Sequence, residues 1–484
     1  MKGIKLSAAA LVSLLYIFSN TALANMSIAH KALAEKNYAE AAKHLKSSAE
    51  IGRAEAQFTL GLLHYQGNTG KVDKISAVGW LFLASEYDHP NALAYTQQVY
   101  SELSPEMQKK AQAYMTELAN KYGKSAVKNN IYPRFTSQPI KAQRFNRRAK
   151  LLVRGPLEYK RGSARARNEM AINSAIRNAQ FGGLSTLSTS LVNDDSGMVI
   201  VKYDVSKEGN PVYPEVLFSW PKGRFDKPTL DAVIKSKLRP AQINKQDAFQ
   251  LGLVSTVRFG FIDRADFKND YPNQYKTFKR LQRESDQDIN SKYLYAGFLN
   301  AYQQLLPKKD AISYLSVITE LAESGHVLAQ LDLGQYLIFQ QNEYKEGVDW
   351  IQKAANFGYD KAEFRLGELL MDPPTPLLQK DIKKAEFWLT RIADNLPEAQ
   401  LKLTSLWLEN GATEAQFNKA KVWLENIIED TDALPNVYYL LAQTELKLNQ
   451  EKCFKQNLEQ AITIGDDLNW NTKTWQHELN TYES

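Results

Sequence analysis

The same phrase of alanines, a Leu-Gly step and a tryptophan returns along this chain at a near-constant spacing. It first appears as AEAQFTLGLLHYQG, Ala54 to Gly67, and after a polar break as AVGWLFLASEYDHPNA, Ala77 to Ala92. It returns in VLAQLDLGQYL (Val327 to Leu337), EGVDWIQKAANFGYDKAEFRLGELL (Glu346 to Leu370), KKAEFWLTRIADNLPEAQLKL (Lys383 to Leu403) and KAKVWLENI (Lys419 to Ile427). Ala329 to Ala362 is 33 residues, Ala362 to Ala399 is 37, Trp350 to Trp388 is 38 and Trp388 to Trp423 is 35. Periods of that length mark stacked helix pairs, each burying its apolar face only against its neighbours. Alanines let two helices approach closely, glycine permits tight contact or reversal, and Trp and Leu fill the space between units. Trp80, Trp350, Trp388 and Trp423 are therefore expected to pack inside the scaffold.

These phrases resemble Sel-like repeats, the tetratricopeptide-related family whose unit reads Ala-x-Ala-x-x-x-Leu-Gly and then Lys-Ala-x-x-Trp-x-x-Lys-Ala-Ala-x-x-Gly. Agreement is strongest at Trp350 to Gly358, and the resemblance covers Ala54 to Ala92 and Leu328 to Leu403. It implies a solenoid whose surfaces bind protein partners. Two departures stand out: MDPPTPLLQKD, Met371 to Asp381, replaces a short glycine-rich turn, and the last units lose the signature glycines.

Between the two repeat blocks, Gly197 to Ile262 reads strand, turn, strand, helix, strand. Val199, Val201, Tyr203 and Val205 alternate with Ile200, Lys202 and Asp204, as in a strand with one buried face. Lys207 to Asn210, KEGN, supplies Gly209 and Asn210 for a reversal into a second strand around Tyr213 to Ser219. Asp226 can cap a helix, Pro228 suits its first turn, Leu230, Val233, Ile234 and Leu238 recur at helical spacing, and Pro240 stops it. Val254, Val257, Phe259 and Phe261 make a final β-rich run. On these patterns alone any small α+β unit fits. The stretch GMVIVKYDVSKEGNPVYPEVLFSWPKGRFDKPTLDAVIKSKLRPAQ followed by VSTVRFGFI also resembles the C-terminal domain of TonB-type energy transducers. That resemblance implies an edge strand, Val254 to Ile262, that receives an extended segment of an envelope partner by strand addition, with Val254, Thr256, Arg258 and Gly260 as the partner-binding residues. The Pro-rich spacer and retained membrane anchor of that family are not seen, nor is its Tyr-Pro-x-x-Ala motif just ahead of Gly197; IYPRF, Ile131 to Phe135, lies far upstream.

The first 24 residues read as a secretory signal: Lys2 and Lys5 precede the apolar stretch Ala8 to Phe18, and Ala22, Leu23 and Ala24 form a small-residue cleavage site. No later segment is long and apolar enough to span a bilayer, so a soluble periplasmic product is expected. The single cysteine, Cys453, has no internal partner and is expected as a buried or half-buried helix residue. At 44% hydrophobic and 24% charged residues the composition is that of a globular protein, not a disordered one. Charge is unevenly placed. The formal net is +6, yet from Ala301 onward 17 basic and 28 acidic residues leave −11. Much of the positive charge lies in Lys141, Arg144, Arg147, Arg148, Lys150, Arg154, Lys160, Arg161, Arg165 and Arg167, opposed there only by Glu158. Arg144, Arg147, Arg148 and Arg154 are thus candidates for binding an anionic envelope polymer or lipid headgroup.

Local signatures of chemistry are sparse. The six histidines are isolated and show no metal-ligand spacing, and neither a Gly-x-Ser-x-Gly elbow nor a phosphate loop occurs. Gly182 and Gly183 read as a loop, and the pairs Asp194 with Asp195 and Asp466 with Asp467 as solvated turns. No catalytic residue, metal or cofactor and no nucleic-acid partner is expected. The sequence predicts a multidomain protein: a signal peptide over 1–24, helical repeats over 25–122, a basic segment over 123–170, a TonB-C-like ββαβ module over 171–265, and further helical repeats over 266–484. Its expected role is a protein-binding adaptor of the envelope, accessory to TonB-dependent transport, with attachment to the cell wall through the basic segment as the alternative.

Overall fold

The structure is a computed structural model that describes residues 24–137, 145–157, 196–259, 267–306, 312–430 and 433–483. The N-terminal block consists of α1 (Asn25–Ala34), α2 (Tyr38–Glu50), α3 (Ala54–Gln66), α4 (Lys74–Glu86), α5 (Ala92–Ser101), α6 (Pro105–Tyr122) and α7 (Lys124–Asn130). A sheet region follows with β1 (Lys150–Val153), β2 (Gly197–Val205), β3 (Pro211–Trp220), α8 (Asp226–Ile234), β4 (Lys237–Arg239), β5 (Ala241–Ile243), β6 (Gln246–Ala248) and β7 (Gln250–Phe259). The C-terminal block runs through α9 (Phe267–Asp270), α10 (Pro272–Glu284), α11 (Ile289–Tyr302), α12 (Tyr314–Glu323), α13 (Val327–Tyr336), α14 (Tyr344–Asn356) and α15 (Asp360–Met371). It ends with α16 (Ile382–Ile392), α17 (Pro397–Asn410), α18 (Glu414–Asp430), α19 (Pro435–Lys447), α20 (Glu451–Asp467) and α21 (Lys473–Glu483).

Helix starts follow local chemistry. Asn37, Asp73, Ser104, Asp288 and Asp381 accept the orphan backbone N–H of α2, α4, α6, α11 and α16, and Pro105, Pro272, Pro397 and Pro435 open helices that do not need their first donor. In three helix pairs the Leu-Gly step of the first helix abuts a small residue near the start of the second. A Cβ at Gly61 would lie 3.1 Å from the Ala77 carbonyl, one at Gly334 would lie 2.7 Å from the Gly347 carbonyl, and one at Gly367 would lie 3.4 Å from the Ala385 carbonyl. The recurring small residues therefore set the distance between paired helices. Trp80, Trp388 and Trp423 are buried as expected, whereas Trp350 is half-buried with Lys353 Nζ 3.6 Å from its ring centroid. Cys453 is half-buried on α20.

The two repeat blocks do not stand apart on either side of the sheet region. One hydrophobic core runs from Ala24 through Trp80 and Trp388 to Trp423. Polar contacts seam the blocks together: Asn25 N donates to Gly358 O at 2.9 Å, Trp388 Nε1 to Ile131 O at 3.0 Å, Lys384 Nζ to Tyr132 O at 2.8 Å and Arg391 to Ser47 O at 3.1 Å. Stacking the blocks covers apolar repeat faces that each would otherwise leave wet. The long Met371 to Asp381 loop belongs to this seam: Thr136 N donates to Leu377 O and Gln379 N to Arg134 O, both at 2.9 Å.

The sheet region is a three-stranded antiparallel sheet of order β3-β2-β7, with β1-β4 and β5-β6 as separate two-stranded pairs. The β2–β3 turn uses Gly209 at φ +87, a left-handed conformation that suits glycine. Two sequence expectations change here. Helix α8 ends at Ile234 instead of reaching Leu238, because Leu238 lies on β4 opposite Leu151 of β1, a pairing that local periodicity does not register. Strand β2 is buried along all nine residues instead of on one face. Val199, Val201, Tyr203 and Val205 pack with Phe225 and Val233, while Met198 and Ile200 on the other face meet the Phe278 and Phe298 cluster of the C-terminal block.

Replacing Gly334 by alanine should lower stability by about 1–3 kcal/mol through overpacking, because its Cβ would lie 2.5 Å from Ile351 Cγ1 as well as against a backbone oxygen. Urea denaturation followed by circular dichroism reads this; an unchanged midpoint would mean that the helices separate without cost.

Candidate functional site

On β2, Lys202 and Asp204 are two residues apart and so share the face turned to the C-terminal helices. On α15, Arg365 and Glu368 are three apart and share a face in turn. These side chains meet, with Lys402 of α17 and Glu215 of β3, in a buried network. Lys202 Nζ lies 2.7 Å from Glu368 and 3.3 Å from Asp204, and Lys402 Nζ lies 3.5 Å from Glu368 and also bonds Asp204. Arg365 bonds Glu368 and Glu215, and its Nε donates to Gln335 at 3.1 Å. Gly252 N of β7 completes the shell of Asp204 at 3.0 Å. Three cations face three carboxylates, and five of the six side chains are at most 2% exposed. Burial pushes Glu368 up, but Lys202, Arg365 and Lys402 beside it bring its carboxyl well below the usual carboxylate range. Burial likewise disfavours the charges of Arg365 and Lys402, and their carboxylate neighbours hold both above their ordinary values.

Beside Lys402 opens a cavity of about 710 Å³ between the sheet region and α15, α17, α19 and α21. Tyr213 and Phe249 line it over the Lys402 ammonium, at 4.1 and 5.3 Å from ring centroid to Nζ. Tyr439 and Trp475 line it as a stacked pair 5.0 Å apart. Asp372 and Asn436 add polar wall: burial pushes the Asp372 carboxyl up to about 6, and Asn436 Oδ1 is buried with no hydrogen-bond partner. Its volume lies in the range of about 300–1,000 Å³ usual for ligand sites, though its lining is more polar than theirs.

Of the sequence-predicted partner residues, Val254, Thr256 and Arg258 lie on β7, with Val254 half-buried and Thr256 and Arg258 exposed. Among the described residues β7 pairs only with β2, so its other edge carries no strand. Gly260 lies outside the described residues, as do the signal segment as far as Leu23, the loop glycines Gly182 and Gly183, and Asp194 with Asp195. Arg144, Lys141, Lys160, Arg161, Arg165 and Arg167 lie outside them too. Arg147 is taken up by the fold, its backbone bridged to Gln242 and its guanidinium 3.6 Å from Asp247, whereas Arg148 and Arg154 are exposed. Of the ten cations the described residues include Arg147, Arg148, Lys150 and Arg154, on β1 and at its two ends. Sequence reading missed the six-charge network; its one signal was charge inside apolar runs, at Lys202 and Asp204 in β2 and in FRLGELL of α15.

The family model for the Sel1 repeat matches residues 22–52, 54–89, 327–359 and 360–395. The chain carries Sel1 repeats. In the structure they are α1–α2, α3–α4, α13–α14 and α15–α16, and the last three are the helix pairs with the small-residue contacts. No curated protein matches the chain. Among solved structures, it is similar to c5321, a protective antigen of uropathogenic Escherichia coli strains displaying an SLR fold, at 17% identity over 94% of this chain and 86% of that one, TM-score 0.28. A Sel1 repeat protein from Oxalobacter formigenes is 21% identical over 40% of this chain and 84% of its own, TM-score 0.31. YrrB, a TPR protein with an unusual peptide-binding site, is 19% identical over 39% and 93%, TM-score 0.29. The Sel1 assignment rests on the matched residues and not on these likenesses.

Replacing Lys402 by methionine leaves three carboxylates to two cations, with Lys202 alone to serve Asp204 and share Glu368, and should cost about 3–5 kcal/mol, the effect of removing one partner of a buried charge set. A guanidinium titration of variant and parent gives the difference, and a loss under about 1 kcal/mol, the ceiling for an exposed pair, would refute the buried network. The pH dependence follows from the same groups. Glu215 and Glu368 titrate lower in the folded chain than unfolded, so their stabilisation is complete above the unfolded value of about 4.3 and is lost as pH falls below it. Thermal melts at pH 7 and pH 3 should show that drop, with a smaller one in Glu368→Gln.

Proposed function

We propose that this protein is an exported, non-enzymatic scaffold of the bacterial envelope that holds protein partners on its Sel1-repeat surfaces and by strand addition to β7. The observation that carries this reading is one continuous helical-repeat body with a sheet region seated on it whose outer strand β7, paired with β2 on one side, has no strand on its other edge among the described residues. Repeat stacks offer extended surfaces to proteins, and an unpaired strand offers backbone donors and acceptors to an extended segment. The partner class we draw from the TonB-type resemblance of the sequence is an envelope protein of TonB-dependent transport; the folded region adds β4, β5 and β6 between α8 and β7 to the ββαβ order of that resemblance.

Export is part of the proposal. A chain cut after Ala24 would give up the Ala24–Tyr359 bridge and keep Asn25 N, now an ammonium, against Gly358 O. A second reading, attachment to an anionic envelope surface, draws on β1, where Arg148 and Arg154 are exposed beside Leu152 at 57% and Val153 at 58%. Replacing both arginines by glutamine should weaken low-salt binding to anionic envelope fractions under that reading and leave it unchanged under the first.

Proline at Thr256 or Arg258 removes one backbone donor of β7 and kinks the strand. In intact envelopes carrying a photo-crosslinker on β7, the proline variants should lose cross-linked partners at least tenfold while helical circular dichroism stays at the parent value. Unchanged cross-links in both variants would dismiss strand addition.

A further inference from the structure

The β1-β4 ribbon carries cations that its surroundings do not answer. Arg148, Lys150, Arg154, Lys235, Lys237 and Arg239 are all exposed, and none has an ion pair among the described residues. Residues 145–157 and 235–243, the ribbon and its approaches, contain no Asp or Glu. Asp247, the one carboxylate of the adjoining β5-β6 pair, is engaged by Arg147 at 3.6 Å and by Gln242 Nε2 at 2.9 Å. Register gathers the charge on one face. Lys150 stands directly opposite Arg239 and Val153 opposite Lys237, whereas Leu151 and Leu238, opposite each other, turn to the apolar core beneath. Like charges directly opposed across an antiparallel pair destabilise it, a cost that an anion on that face would remove.

An independent observation sets the kind of anion. Leu152 and Val153 stand among these cations at 57% and 58% exposure. The fold holds them there: Ala149 N donates to Gln250 Oε1 at 2.7 Å and Gly155 N to Ser236 Oγ at 2.9 Å, both bonds buried. A Cβ at Gly155 would lie 2.3 Å from the Ala232 carbonyl, so the chain re-enters the fold directly after Arg154. The ordinary alternative is a solvated edge, where lysines keep strands of different molecules from pairing. A protective edge gains nothing from Leu and Val set between its lysines, since they invite association. Cations around exposed aliphatic side chains match a surface with negative charge outside and hydrocarbon beneath. A soluble polyanion would answer the charge and leave Leu152 and Val153 in water.

We infer that the β1-β4 ribbon docks this protein on a bilayer bearing anionic phospholipid, with Lys150, Lys237 and Arg239 at the headgroup phosphates and Leu152 and Val153 entering the boundary below them. The inference rests on the second reading above, attachment to an anionic envelope surface, and names lipid as that surface. Each Lys or Arg held near an anionic membrane strengthens binding by about fivefold, so the face is strong enough to act without a spanning helix.

The test is co-sedimentation of the full chain with vesicles of phosphatidylglycerol and phosphatidylethanolamine in equal parts, set beside phosphatidylcholine vesicles and polyphosphate beads. Lys237→Gln with Arg239→Gln should weaken binding to the anionic vesicles at least tenfold and change nothing on phosphatidylcholine. Leu152→Ser with Val153→Ser should weaken it at least threefold and leave retention on polyphosphate unchanged. Parent and variants share one N-terminus, so a difference between them belongs to the ribbon. Lys237→Arg with Arg239→Lys keeps the charge and should bind as the parent does, and melting temperatures should not move, since all four side chains are exposed. Equal binding of the parent and the glutamine variant to anionic vesicles would overturn the inference. So would equal binding of the parent and the serine variant: adsorption would then be by charge alone, and the second reading would stand without lipid. If Arg148→Gln with Arg154→Gln also leaves binding to envelope fractions unchanged, that reading falls as well.

Discussion

Mutual neutralisation of six buried charges is the condition on which the seating of the sheet region depends. Moving a carboxylate or an ammonium into the protein interior costs several kcal/mol even after relaxation, so Lys202, Asp204, Glu215, Arg365, Glu368 and Lys402 are tolerable only as a complete set. Completeness demands position. A one-residue slip of β2 would carry Lys202 and Asp204 to the face occupied by Phe225 and Val233, and would turn Val201 and Tyr203 into the charges of α15 and α17. An apolar interface of similar area would tolerate such slips far better. The network therefore acts chiefly on specificity, fixing one seating of the sheet out of several that hydrophobic contact alone would allow.

That seating in turn depends on how the repeats are spaced. Glu368 and Lys402 come from helices α15 and α17, separated in the chain by the whole of α16, and their charges lie 3.5 Å apart. Gly367, one residue from Glu368, holds α15 against Leu389 of α16 at a distance no larger residue would permit. The small residues that define a Sel1 unit thus set the geometry of a charge cluster that no Sel1 signature contains. The same arrangement commits surface. One helix of each successive pair, α13, α15, α17 and α19, supplies Gln335, Arg365, Lys402 and Asn436 towards the sheet region and its cavity. A partner meets this face only where the sheet leaves it open.

Features generated by local rules were legible in the sequence. The helix pairs show in the spacing of Leu-Gly and tryptophan, the β2–β3 hairpin in Gly209, and the position of Cys453 in its amphipathic surroundings. Features generated by distant partners were not. Leu238 continues the i, i+4 pattern of α8, and only its pairing with Leu151 removes it from the helix. Lys202 and Asp204 alternate with aliphatic residues as a solvated face would; their burial is decided by Glu368 and Lys402, 166 and 198 residues away. The joining of the two repeat blocks was hidden for the same reason, since Asn25 carries no mark of a hydrogen bond to Gly358. Arg147 illustrates the converse: it was one of ten cations in a composition count until Asp247 and Gln242 gave it a place in the fold.

Those long separations bear on how the molecule assembles. The surfaces that join the early part of the chain to the C-terminal block wait for residues made much later: α1 for Gly358, Ile131 for Trp388, and β2 for Glu368 and Lys402. Contacts of high sequence separation carry their loop-closure cost before they return any stabilisation, so they form late and together. Until then β2 carries two ions, Lys202 and Asp204, that no partner has neutralised, and it cannot enter an apolar environment without the full desolvation cost. The charges thereby oppose premature burial of the strand in a wrong partner, including another copy of itself. Once α15 and α17 are in place, the same charges favour a single docking. A buried ionic set that is a poor source of stability is, in a chain with this order of elements, an effective guard on the order in which its parts come together.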